Sequence, residues 1–237
     1  NPEHPEVMWQ LSEAIDGMAT ACTALGVPVV GGNVSLYNES AGRDIDPTPV
    51  VGMVGVIDDL RRRPPGVRLV DGGVIVLIGP QEPATLAGSR WADAVHGHRG
   101  GTLPALDMEP HRAVCELVRG LVDEGLLAGV HDVADGGLGV ALAEMAVRSG
   151  VGFGVTGVAG HTGLFHEGPS RVVACVSEEA VEDVLARAGG SGVPAVVTGR
   201  AGGERLVVDG VLDLPIVTTV ERFRASLPAR MTAAMEH

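Results

Sequence analysis

The 237-residue chain is 45% apolar but only 3% aromatic, and 30 acidic against 17 basic side chains give it a formal charge of -13. That balance excludes a nucleic-acid or anionic-membrane partner, which would demand a basic face, but leaves room for a small phosphorylated ligand held by local amides and a cation. With no apolar run of membrane-span length, no signal peptide, and Cys22, Cys115 and Cys175 far apart without C-x-x-C spacing, the expectation is a cytoplasmic protein with free, buried thiols and neither zinc nor a disulfide framework.

In chain order, Met8, Leu11, Ile15, Met18, Cys22 and Leu25 recur at the three-and-four spacing of an amphipathic helix from about Glu6 to Leu25, which Gly26 ends. The β-branched run Val27 to Val30 predicts a buried strand, and Val50 to Ile57 a second. Between them lies Gly31-Gly32-Asn33-Val34-Ser35-Leu36-Tyr37-Asn38-Glu39. Two glycines let a backbone approach an anion without a Cβ in the way, and the amide, hydroxyl and carboxylate oxygens that follow suit a hard cation. Taken alone, this segment reads equally as a phosphate or metal site or as a tight turn capped by polar residues. Trp9 and Tyr37 are expected to be buried against the sheet, and Asp44 and Asp46 to shape the turn before Pro47. A helix, strand, loop and strand of this length are too few to own a core.

Asp58 to Gly73 reads as a linker, its Arg61-Arg62-Arg63-Pro64-Pro65 run a solvated surface turn rather than an anion site. From Val74 a buried strand runs to Gly79 and Pro80, and a helix from about Pro110 to Glu124 places Val114, Leu117, Val118 and Leu121 on one face. Leu126 to Val130 leads into His131-Asp132-Val133-Ala134-Asp135-Gly136-Gly137, followed by a helix from about Gly137 to Ser149. Strands at Arg171 to Val176 and Ala195 to Gly199 enclose a helix from Glu179 to Ala188. A hairpin at Glu204 to Leu212 and a helix from Val220 to about Met235 complete the chain. Alternating sheet and helix predicts an α/β sandwich from about Val74 to Val217. Within it Asp135 is expected to cap the helix that starts at Gly137, and His131 to be a hydrogen-bonded structural residue.

Four segments carry a resemblance to a known family. Asn1-Pro2-Glu3-His4-Pro5-Glu6-Val7-Met8-Trp9-Gln10, the Gly31 to Glu39 segment and Pro47-Thr48-Pro49-Val50-Val51-Gly52-Met53-Val54-Gly55, in this order and spacing, resemble the synthetase subunit of phosphoribosylformylglycinamidine synthase. The segment His131 to Glu144 resembles a motif shared across the wider aminoimidazole ribonucleotide synthetase superfamily. The resemblance covers essentially the whole chain and implies an α+β fold. The end of a second N-type domain (1–58) and a linker (59–73) would precede a complete C-type α/β sandwich with a C-terminal helix (74–237).

It also implies roles: Gly32 approaches the phosphates of ATP, Asn33 ligates Mg²⁺, and Ser35 hydrogen-bonds formylglycinamide ribonucleotide. The implied reaction, in de novo purine biosynthesis, is ATP-dependent phosphorylation of that substrate's amide oxygen. Glutamine-derived ammonia then displaces phosphate to give the amidine. The implied partners are the missing N-terminal half of the polypeptide, a glutaminase subunit and a small accessory subunit. The family's catalytic histidine belongs to that other half, so no catalytic residue is expected here and the isolated chain is expected to be inactive. Glu167-Gly168-Pro169-Ser170-Arg171 lines up with a substrate-contacting Glu-Ser-Gln motif of the other half. It lacks two of the three polar side chains, so direct contact by Glu167 is not expected. Two other readings stay open. One is another ATP-using member of the superfamily, against which the Asn33-Val34-Ser35 loop and the Pro47-Thr48-Pro49 turn argue. The other is a non-catalytic nucleotide-binding assembly module.

Overall fold

The computed structural model describes residues 1–81, 85–103 and 106–235, and the chain divides into two compact units, Asn1–Val56 and Ile57–His237. In the first, helix α1 (Pro5–Leu25) begins with proline in its first turn, where the missing N–H costs nothing. It ends where Gly26, at φ 67°, donates its N–H to the Cys22 and Thr23 carbonyls. Strands β1 (Glu39–Ser40) and β2 (Arg43–Asp44) pair antiparallel across Ala41 and Gly42, both at positive φ, the backbone that a two-residue hairpin turn requires.

The two longer strands expected here, Val27 to Val30 and Val50 to Ile57, do not form; Val30 is 96% and Val54 101% exposed. A strand is made by the ladder beside it. Among the described residues nothing pairs with either segment, so β propensity has no sheet to join. Trp9 and Tyr37, expected against that sheet, are exposed for the same reason, and no residue of α1 is buried.

The second unit opens with a 3-10 turn (Leu60–Arg62) whose capping Asp59 accepts the Arg61 N–H and pairs with its guanidinium at 2.6 Å. Its sheet consists of β3 (Val74–Ile78), β4 (Gly129–Asp132), β5 (Phe153–Val155), β6 (Val172–Val176), β7 (Ala195–Ala201), β8 (Arg205–Val208) and β9 (Leu212–Pro215). The order is β4-β6-β3-β7-β5-β8-β9, antiparallel throughout except between β5 and β8. The helices are α2 (Arg90–His96), α3 (Met108–Asp123), α4 (Gly137–Ser149), α5 (Gly160–Phe165), α6 (Val181–Gly190) and α7 (Ile216–Met235).

Every residue of β3 is buried, because the sheet is covered on both faces. Val74, Val76 and Ile78 join Val114, Leu117 and Leu121 of α3 and Val184 and Ala188 of α6 in one core. The alternate residues Ile75 and Leu77 join Leu138, Ala141, Leu142, Met145 and Ala146 of α4 in the other. The α4 set recurs every three or four residues, which is why this stretch is helical and why that face packs on the sheet. The short elements α2, α5 and β5 are additions to the sequence reading, since each is too brief to show a period. Helix α7 begins four residues earlier than expected, directly after β9, and carries Pro228 inside it.

Candidate functional site

The polar loop that follows α1 brings Gly32, Asn33 and Ser35 into one exposed stretch. Gly31 and Gly32 have ordinary negative-φ backbones, and a Cβ added to either would meet nothing within 4 Å. Neither conformation nor packing within the chain therefore demands glycine at these positions. Among the described residues the Asn33 side chain makes no hydrogen bond. Ser35 is held by Asn38, whose Nδ2 donates to the Ser35 carbonyl and to its Oγ, both at 3.0 Å. Asp44 accepts from the Asn1 amino group at 3.0 Å and lies 3.2 Å from His4 Nδ1, contacts that hold its carboxyl below the ordinary value.

In the second unit the strand-to-helix passage at Asp132 to Gly137 is organised by a residue from elsewhere in the chain. Glu167 Oε1 accepts the Gly136 N–H at 2.7 Å and the Arg90 N–H at 2.8 Å. One carboxylate thus serves the N-termini of α4 and α2, where amide hydrogens lack partners and negative charge is favoured. The expectation that Asp135 caps α4 is corrected. The capping position is Gly136, in the left-handed region at φ 78°, and Asp135 instead points outward, 3.6 Å from Arg90 Nε. Glycine is required beside it too: Gly137 sits at φ 66°, and a Cβ there would come within 2.7 Å of the His166 carbonyl. No local spacing could have disclosed the Glu167 contacts, since the partners lie 31 and 77 residues away.

His131 is a hydrogen-bonded structural residue, its Nδ1 3.0 Å from Asp132 and its Nε2 3.2 Å from Glu144. Arg171 is buried, donates from Nη1 to the His166 carbonyl, and is lowered from its ordinary pKa by that burial. Around α2 the sequence reading missed an aromatic group in which Trp91 stacks on His161 at 4.9 Å and meets His96 edge-on at 4.8 Å. The cysteines are free, but only Cys175 is buried; Cys22 is half-buried and Cys115 exposed, which corrects the expectation of three buried thiols. Among the described residues no three His, Cys, Asp or Glu side chains converge as a metal cluster, and no helix is long and apolar enough to cross a membrane.

A two-faced mixed sheet preceded by a helix and a Gly-Gly-Asn loop defines the class of protein. The chain belongs to the AIR synthase related protein family, matching the C-terminal domain of that family over residues 70–210 and its N-terminal domain over residues 1–57. Its α+β architecture is accordingly a partial N-type domain followed by a C-type domain. Among the particular proteins it resembles is the phosphoribosylformylglycinamidine synthase subunit PurL of a Nocardioides species, 43% identical over 232 residues, 98% of this chain and 30% of that protein. The chain therefore spans under a third of the length of this relative. Among solved structures, Thermotoga maritima PurL complexed with FGAR matches with a TM-score of 0.54 at 20% identity, over 65% of this chain and 28% of that one. The same protein complexed with ATP matches with a TM-score of 0.52 at 18% identity, over 64% and 26%.

Proposed function

We propose that this chain is the part of a phosphoribosylformylglycinamidine synthetase that carries its glycine loop and second C-type domain, with residues 59–73 joining the two. The reaction is ATP-dependent conversion of formylglycinamide ribonucleotide and glutamine-derived ammonia to the amidine, with ADP and phosphate released in the cytoplasm. One observation carries the reading: Gly31 and Gly32 are glycines that nothing among the described residues requires, set in an exposed loop. Open glycine backbone in an exposed loop permits the close approach of a phosphate to backbone N–H groups, which is the role the family resemblance gives to Gly32.

Gly32 admits the ATP phosphates, and Ser35, its hydroxyl oriented by Asn38, hydrogen-bonds the ribonucleotide. Asn33 offers an amide oxygen that no other group among the described residues uses, a donor that fits Mg²⁺. Further ligands would come from phosphates, water and carboxylates outside this chain. When bound, the ion supplies charge neutralisation at the transferring phosphoryl group. The chain's own contribution is binding and orientation. The residue that promotes amidination lies in the other half of the polypeptide, and a glutaminase and a small accessory subunit are the partners that deliver ammonia.

Isothermal titration of the 237-residue chain with Mg-ATP tests the loop, with Mg²⁺-dependent affinity expected and its loss in Asn33→Ala and Gly32→Val. No Mg²⁺-dependent affinity in the parent chain would count against the glycine loop as the site. A steady-state assay should find no amidination by the isolated chain; turnover would refute the division of labour between the two halves.

A further inference from the structure

Outside the sites above, a nucleophile and a base meet on α3. Cys115 Sγ is 3.7 Å from His111 Nε2, and His111 Nδ1 is 3.0 Å from Ser170 Oγ. Four residues apart on a helix, Cys115 and His111 share one face, and the thiol is exposed. With Nδ1 protonated and donating to Ser170, the Nε2 lone pair faces the thiol. That is the arrangement of nucleophile, base and orienting group by which a weak nucleophile is activated. Arg112 and Arg119 flank Cys115 at three residues before and four after, though each is paired at 3.6 Å, with Glu116 and Asp123 respectively.

Ser170 supplies an independent sign that this geometry is held. It sits at φ 64°, a backbone that costs a residue with a Cβ about 1–2 kcal/mol. It follows Gly168-Pro169, where a further glycine would relieve that cost. Its carbonyl also lies close to Gly79, 2.0 Å from where a Cβ on that glycine would stand. A strained serine in place of glycine is explained by its hydroxyl, and His111 is the group that hydroxyl meets.

We propose that Cys115, with His111 as base and Ser170 orienting it, is a thiol–disulfide exchange site for low-molecular-weight disulfides. Cys115 sulfur attacks one sulfur of the disulfide; the mixed disulfide forms as the original S–S bond breaks. His111 Nε2 takes the thiol proton and returns it to the leaving thiolate. The net change is one protein thiol and one disulfide giving one mixed disulfide and one free thiol. A free thiol is about 3% ionised at pH 7. Full ionisation would raise the thiolate fraction up to about 30-fold, but more readily ionised thiols are intrinsically less nucleophilic, which leaves a net gain of about three- to fourfold.

The test is the rate of reaction of the 237-residue chain with 5,5′-dithiobis(2-nitrobenzoate) at pH 7, the labelled sulfur assigned by peptide mapping. Cys115 is expected to react about three- to fourfold faster than glutathione under the same conditions, and His111→Gln to bring it back to the glutathione rate. Ser170→Gly is expected to slow Cys115 while leaving thermal stability equal or higher, a divergence that loss of folding cannot produce. Buried Cys175 serves as the folding monitor: should it label in His111→Gln, Ser170→Gly decides alone. A Cys115 rate no greater than that of glutathione, or one unchanged in a folded His111 or Ser170 variant, overturns the proposal.

Discussion

Replacing Glu167 by alanine tests whether one carboxylate holds the start of two helices. Gly136 is buried, so its N–H, left without Oε1, bears the full cost of an orphaned donor, about 1–3 kcal/mol. The Arg90 N–H belongs to an exposed residue and can turn to water, so its loss is about 0.5–1 kcal/mol, including the weakened charge–dipole term at α2. Together these give about 1.5–4 kcal/mol, which for a unit of this size is a fall in Tm of roughly 3–16 °C. Urea unfolding followed by circular dichroism reads the free energy directly. Glu167→Gln keeps an acceptor oxygen but not the charge, and is expected to cost about half as much. If Glu167→Ala stays within about 0.5 kcal/mol of the parent, the carboxylate is not what secures Gly136, and the account of the α4 start is wrong.

Leu142 has no exposed surface between α4 and the sheet, so Leu142→Ala is expected to cost about 3–5 kcal/mol in urea titration. Val54 is fully exposed, so Val54→Ser should change stability by less than about 0.5 kcal/mol in the isolated chain; a larger loss would show that the segment is packed. Burial pushes the Cys175 thiol above its ordinary pKa, so the folded state keeps a proton that the unfolded chain loses above about pH 8.5. The sign is therefore a stability complete below that pH and declining as pH rises beyond it. Melting curves between about pH 8 and 10 should show the decline in the parent and a flatter profile in Cys175→Ala.

Much of the second unit was legible in order. Val74 to Ile78 reads as a buried strand because its apolar residues are consecutive, and α3 and α4 read as helices because theirs recur every three to four. The glycines and oxygen donors of the Gly31 to Glu39 loop are properties of residue type, and the role proposed for them rests on that reading. What misled was propensity without a partner: Val27 to Val30 and Val50 to Ile57 have strand composition but no ladder among the described residues. Asp135, well placed in sequence to cap α4, was displaced by a carboxylate that arrives from the loop before β6.

The chain alone determined its longer helices and its family resemblance, because a helix closes its hydrogen bonds within four residues and a motif is a matter of identity and spacing. Only the tertiary structure decided that Glu167 meets Gly136, that β5 lies parallel to β8, and that His111 stands between Cys115 and Ser170. Sheet pairing and end-capping at a distance are chosen by packing, and the partners' separation along the chain leaves no local trace of the choice.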